Sequence, residues 1–218
     1  MNVLWDLDGT LVDSMPVITR SMNRTREAFG LAVLPEADLR PFIGPSIHST
    51  FAQFLATDDS DRVEAAVEHY RACYDELIGE SPVFPGIVET LEALSQAGCQ
   101  QFVATAKYRK VAHRLLDVTG LSRWFTEVYG SEADGSLGHK PELLAHLLQE
   151  ESLRRAETVM IGDTRYDMEA ARHHDLTAIG VAWGYGQNEE LLAGGAHSLV
   201  ETPEALVATI RANLACAC

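Results

Sequence analysis

The sequence predicts an α/β fold, a Rossmann-like parallel sheet in a three-layer αβα core interrupted by an all-helical insert. Two patterns carry that reading. Short apolar or β-branched runs alternate with amphipathic stretches at βαβ spacing, which marks a parallel sheet with crossover helices. The alternation breaks once, between Met15 and Pro82, where the apolar periodicity is helical and strand signal is almost absent.

The strand candidates are Val3–Trp5, Gln101–Ala104, Glu127–Tyr129, Thr158–Ile161 and Ala178–Val181. Between them, Ile87, Val88, Leu91 and Leu94 share a helical face, as do Val111, Leu115 and Leu116. A last helix is expected from Pro203 to Leu214, because a proline's missing N–H costs nothing in a first turn. Within the insert, Val63, Ala66, Val67, Tyr70, Cys73, Tyr74 and Leu77 fall on one face. Pro41, Gly44 and Pro45 punctuate it, and Ser46 is placed to cap the helix that follows. The expected organisation is a core of residues 1–14 and 83–218 and a helical insert of residues 15–82.

Charge narrows the range of functions. Lys+Arg total 17 against Asp+Glu 32, a formal net charge of -15. Such a surface repels phosphate backbones, so no nucleic-acid partner is expected. A substrate anion needs a local cluster of donors, because the overall field opposes it. No apolar run is long enough to cross a bilayer, and a core strand at Val3–Trp5 leaves no place for a cleavable leader. The expected location is therefore cytoplasmic, with no membrane partner. Cys73, Cys99, Cys216 and Cys218 match neither a zinc site nor a disulfide framework, and Cys73 reads as core.

Chemistry gathers where strands end. Asp6 and Asp8 flank Leu7 at the end of the first apolar run, so their side chains point broadly the same way, and Gly9 permits a tight turn. Asp163 ends another strand and Asp167 falls one turn into the next helix, where it also suits the helix dipole. Four carboxylates that converge repel one another unless a cation relieves them, and hard oxygen ligands in this number suit magnesium. A third strand ends in Thr105-Ala106-Lys107, a hydroxyl and free N–H groups at a strand-to-helix turn that can cradle phosphate. Lys140 precedes Pro141 and is biased towards extended backbone, away from helix. The chain has only three lysines, and Lys107 and Lys110 are expected in the first turn of a helix, facing solvent. Each piece has an ordinary explanation alone: an Asp-Gly turn, an N-cap threonine, a solvated lysine. Their coincidence at the carboxyl ends of three strands, where ligands bind open parallel sheets, does not.

Asp6-x-Asp8-Gly9-Thr10, the Thr105 strand end, Lys140-Pro141 and Gly162-Asp163-x-x-x-Asp167 resemble, in order, the four motifs of the haloacid dehalogenase superfamily. The resemblance extends over essentially the whole chain, and the helical insert looks like that superfamily's cap domain. Pro41-Phe42-Ile43-Gly44-Pro45, Pro85-Gly86 and Trp183-Gly184-Tyr185-Gly186 are similar to its phosphoglycolate phosphatase-like branch. Two departures stand out. Ala106 replaces the branch's usual Asn or Ser, and His173-His174-Asp175 replaces a small residue and Gly at a helix end. His139 reads as a solvated loop residue.

The resemblance implies a Mg2+-dependent phosphatase in which Asp6 forms an aspartyl-phosphate and Asp8 serves as acid and then base. It implies metal ligation by Asp6, the Asp8 carbonyl and Asp163, with Asp167 acting through water, and phosphoryl binding by Thr105, the Ala106 N–H and Lys140. Asp8 counts against a dehalogenase, which requires no acid for a leaving alkoxide. The lack of a cap lysine counts against a phosphonatase and weakens a sugar-phosphate mutase. A pyrophosphatase, a nucleotidase or a sugar phosphatase stays open, as does a non-catalytic binding or regulatory module. A P-loop kinase does not, because no Gly-rich P-loop is present. The expected partner is a small phosphorylated metabolite, with 2-phosphoglycolate foremost, because Arg20, Arg24 and Arg71 of the insert suit a carboxylate. The chain is expected to be a monomer or homodimer.

Overall fold

The computed structural model describes residues 1–43 and 45–215. Its strands are β1 (Asn2–Trp5), β2 (Gln100–Tyr108), β3 (Glu127–Ser131), β4 (Thr158–Gly162), β5 (Thr177–Val181) and β6 (Ser198–Val200). They form a six-stranded sheet in the order β3-β2-β1-β4-β5-β6, with every neighbouring pair parallel. Every residue of β1 is buried, as expected for a strand covered on both faces. The chain leaves β1 towards β2 and β3, then returns past it to β4. That reversal opens a crevice at the carboxyl ends of β1, β2 and β4.

The helices of this unit are α5 (Ile87–Gln96), α6 (Arg109–Val118), α7 (Lys140–Glu150), α8 (Arg165–His173), α9 (Asn188–Gly194) and α10 (Pro203–Ala215), numbered after the four of the insert. Leu143, Leu144 and Leu147 of α7 and Met168 and Ala171 of α8 pack on Leu4, Phe102 and Met160 of the sheet. This apolar layer holds the heads of α7 and α8 over the strand ends.

A second compact unit, Ser14–Pro82, contains α1 (Met15–Ala28), α2 (Glu36–Leu39), α3 (Ile47–Leu55) and α4 (Ser60–Leu77). The first unit takes in Met1–Asp13 and the described residues from Val83 onward. Phe51 and Leu55 of α3 pack on Val63, Ala66 and Val67 of α4, on the face that the periodicity picks out. The Ser46 side chain accepts from the Ser49 N–H and caps α3 as its position predicts. Gly44 of the Pro41–Pro45 stretch and the terminal Cys216 and Cys218 lie outside the described residues. Among the described residues, no helix is long and apolar enough to cross a membrane.

Three local expectations change. β6 carries almost no sequence signal, being three residues long and paired only to β5 at the sheet edge. β2 runs four residues beyond Ala104, because pairing with β3 resumes at Tyr108 opposite Ser131 after a register shift. Lys107 is therefore a strand residue and not part of a helix, whereas Lys110 is exposed on α6 as expected. Lys140, expected outside the helix, is the first residue of α7, where Pro141 removes an N–H that the first turn would leave unbonded.

His174 caps the end of α8, and Asp175 follows in the left-handed region at φ 54°. Left-handed backbone is costly for residues with a Cβ, though Asp tolerates it better than most. Asp175→Gly should therefore raise the free energy of unfolding by roughly 0.5–1 kcal/mol. A urea midpoint shifted upward at unchanged slope checks it; no shift, or a downward one, means that the aspartate carries no strain.

Candidate active site

Asp6 follows β1 directly, and its N–H continues the ladder by donating to the Ile161 carbonyl at 2.9 Å. The chain then turns through Gly9, at φ 83°, whose N–H donates to Val12. A Cβ at Gly9 would lie 2.2 Å from Asp163 Oδ2, so close approach as well as the turn requires glycine. Thr10 donates its hydroxyl to Asp163 Oδ1 at 3.0 Å, and the Tyr185 N–H donates to Oδ2 at 2.8 Å. The loop after β5 thus straps the β1 turn to Asp163. Its Trp183 indole donates to the Thr10 carbonyl, and a Cβ at Gly184 would lie 2.1 Å from Asp163 Cβ. The Trp-Gly-Tyr-Gly run, read only as a branch resemblance, fixes the position of an acid.

Asp167 sits in the first turn of α8. Its Oδ2 accepts from the Thr164 N–H at 3.0 Å and from the Thr164 hydroxyl at 2.7 Å, while Oδ1 meets the Lys140 ammonium. Lys140 Nζ also lies 2.8 Å from Asp6 Oδ1, so one buried cation links strand β1 to helix α8. Asp6, Asp163 and Asp167 bring carboxylate oxygens within 4.8 Å of one another, all three buried.

The four acids divide differently from the four-carboxylate convergence expected. Asp8 points its carboxylate at the ammonium of Lys107, whose Nζ lies 3.0 and 2.8 Å from the two oxygens, and it stands outside the three-acid cluster. The expectation that Lys107 faces solvent is wrong for the same reason: its side chain is 9% exposed. The scarcity of lysine is the one sequence signal that could have found it; its place two residues along a strand from Thr105 comes from the extension of β2. Thr105 is buried within β2, three residues before its end, and its hydroxyl accepts from the Lys107 N–H at 3.2 Å instead of capping a helix. Ala106 is half-buried between them, and His139 is exposed as expected. In the helical unit, Arg20 pairs with Glu80 at 2.6 Å, Arg24 with Glu76 at 2.9 Å and Arg71 with Glu64 at 3.4 Å.

Burial drives the electrostatics. It pushes the Asp6 carboxyl up to about 7; Lys140 opposes the rise, and Asp167 and Asp8 add to it. Asp163 is raised well above the carboxylate range by burial and by Asp6 and Asp167, against the pull of the Tyr185 N–H and Lys140. Burial would lower the Lys140 ammonium, but Asp167 and Asp6 outweigh it and hold the group above the ordinary lysine range. Two ammonium groups face four carboxylates here, so the pocket keeps a deficit of positive charge. Three buried, mutually close carboxylates fit a divalent cation, which takes oxygen ligands and removes the deficit.

The model of the haloacid dehalogenase-like hydrolase family matches residues 3–181 of the chain. A 5'-nucleotidase of Pseudomonas aeruginosa is 39% identical over 193 residues, covering 88% of this chain and 87% of that protein. A phosphoglycolate phosphatase of Agrobacterium fabrum is 35% identical over 195 residues, covering 84% of this chain and 80% of that one. Among solved structures, a predicted phosphatase from Clostridium acetobutylicum superposes with a TM-score of 0.90 at 31% identity, covering 97% of this chain and 98% of that one.

Without metal, the charged site works against folding. Asp6 and Asp163 hold protons more tightly folded than unfolded, so the stability they contribute is present at low pH. For Asp6 it is lost as pH rises from its ordinary 3.8 through about 7. Asp163→Asn removes one of these charges, and its amide can still pair with the Tyr185 N–H and Thr10. In EDTA at pH 8 it should raise the melting temperature by about 3–6 °C, the equivalent of one or two kcal/mol in a chain of this size. At pH 5 the gain should shrink. A gain of the same size at both values would mean that charge is not the cause.

Proposed function

This chain belongs to the haloacid dehalogenase-like hydrolases and is a phosphoric monoester hydrolase; we propose that it is Mg2+-dependent, works through an aspartyl-phosphate on Asp6, and takes 2-phosphoglycolate. One observation carries the reading. Two acids two residues apart occupy opposite settings, Asp6 in the buried cluster with Lys140 and Asp8 clasped by Lys107 outside it. Acids held so differently can divide nucleophilic from proton-transfer work.

Asp6, Asp163, the Asp8 carbonyl and, through water, Asp167 would hold Mg2+, which supplies positive charge to the phosphoryl oxygens and the attacking carboxylate. Asp6 bonds to phosphorus while the bond to the ester oxygen breaks, and Asp8 gives that oxygen its proton. In the second half, Asp8 takes a proton from water. The new oxygen bonds to phosphorus, the Asp6–phosphorus bond breaks, and phosphate leaves with both aspartates restored. Thr105, the Ala106 N–H and Lys140 bind the phosphoryl oxygens throughout. Residues 83 onward with residues 1–14 form the catalytic core, and residues 15–82 act as a cap that selects the leaving group, with Arg20, Arg24 and Arg71 as candidate grips for a carboxylate.

A nucleotidase is the second reading. It is supported by the Pseudomonas relative and by the glutamate partners that those three arginines already have. Measuring kcat/KM for phosphoglycolate, glycerol phosphate, 5'-nucleotides, sugar phosphates and pyrophosphate separates the readings. Phosphoglycolate should lead, and a value no better than glycerol phosphate would remove it as the substrate. EDTA should abolish turnover and Mg2+ restore it. Asp6→Asn should lower kcat on the order of a thousandfold or more and leave no phosphoenzyme in intact-protein mass spectra. Substantial turnover by that variant would require direct attack by water.

A further inference from the structure

Lys107 is a half-buried cation that the mechanism above leaves without a task. A lysine near a surface ordinarily extends its stem to put the ammonium in water. Here the side chain is 9% exposed and ends on Asp8, itself 17% exposed, reaching both carboxylate oxygens at 3.0 and 2.8 Å. Its backbone is held just as closely. β2 continues through Tyr108, and the Lys107 N–H donates to the Thr105 hydroxyl. On the neighbouring strand, a Cβ at Gly130 would lie 2.6 Å from the Lys107 carbonyl, so β3 backs directly onto this segment. The residue is tied at once to the proposed phosphate ligand Thr105 and to the proposed acid Asp8.

We propose that Lys107 is a positioning residue that holds the Asp8 side chain out of the three-acid cluster and turned towards the leaving group; in the acid step one Asp8 oxygen carries the proton that goes to the leaving oxygen while Lys107 keeps the other, and the attacking water returns that proton in the second half. The proposal rests on the aspartyl-phosphate reading. An aspartate just beyond a strand has two free side-chain torsions, and beside a cation site it would readily become another ligand. A carboxylate spent on the metal cannot serve the leaving oxygen. The Lys107 clasp, rigid because the strand and Gly130 fix its root, keeps the two jobs apart.

Leaving-group dependence tests this, because only a poor leaving group needs the acid. With Lys107→Met, kcat/KM for glycerol phosphate should fall about 30- to 100-fold, no more than the low end of the roughly 100- to 10,000-fold that a general acid supplies because Asp8 itself remains, and for p-nitrophenyl phosphate less than about fivefold. Competitive inhibition by inorganic phosphate in Mg2+ should change less than about threefold, since the phosphoryl ligands are untouched. Removing the lysine takes a cation away from Asp8 and can weaken the fold, so the double variant Lys107→Met with Asp8→Asn is measured beside Asp8→Asn alone. No further loss is expected there, because Lys107 acts through Asp8. Equal losses on both esters, a phosphate inhibition constant raised tenfold, or a tenfold further loss in the Asp8→Asn background would each overturn the role. Failure of the parent reading shows elsewhere: wild-type protein would then turn over without Mg2+ or form no phosphoenzyme.

Discussion

The constraint that organises this molecule is a concentration of buried negative charge at the heads of its central strands. Asp6, Asp163 and Asp167 sit almost fully out of water with their oxygens within 4.8 Å. Bringing carboxylates so close in a medium that screens poorly costs several kcal/mol for each unpaired ion. The surroundings answer that cost group by group. Lys140 bridges Asp6 and Asp167, the Thr10 hydroxyl and the Tyr185 N–H take up Asp163, and Thr164 donates twice to Asp167. The glycines at 9, 162 and 184 allow that crowding, since a Cβ at each would collide with Asp163 or Asp167. The sheet topology, the helix starts and the glycine positions all serve one anion-rich pocket that is completed by added positive charge.

That local balance runs against the chain as a whole. A net charge of -15 opposes the approach of a phosphate dianion, and exposed charges act over only about a Debye length in salt. Recognition therefore has to be short-range and buried. Two of the three lysines are placed accordingly, Lys140 inside the cluster and Lys107 at its rim, while Lys110 alone is exposed. A chain this acidic keeps its lysines where the dielectric is low and each ammonium interacts most strongly.

Much of this was legible in the sequence because it follows from local rules. Five strands announce themselves as apolar runs, and Asp6, Thr105 and Asp163 fall at carboxyl ends where strand signal stops. The helical stretch stands out because its apolar residues repeat every three or four positions. What was missed depends on partners remote in sequence. The extension of β2 exists only because β3 pairs again at Tyr108, so Lys107 looked like a helix residue. β6 is three residues at an edge, too short for a pattern. The tie between Tyr185 and Asp163 spans 22 residues and uses a backbone N–H, which no residue type advertises.

The same logic bears on the arginines of the helical unit. Arg20 and Arg24 are about half exposed and each pairs with a glutamate. Exposed pairs of this kind are worth roughly 0–1 kcal/mol, so exchanging a glutamate for a substrate carboxylate is nearly neutral in charge terms. Such an arginine can release its partner without much cost, but it also gains little by doing so, unless the new pair is drier than the old one. A hydrogen bond to a charged group contributes about 1.5–3 kcal/mol, and it is electrostatically stronger where water is excluded. Preference for a carboxylate-bearing substrate therefore cannot follow from the presence of arginine alone. It requires that the guanidinium leave a solvated glutamate for a desolvated carboxylate, and Arg71, the least exposed of the three, is the one whose surroundings already come nearest to that condition.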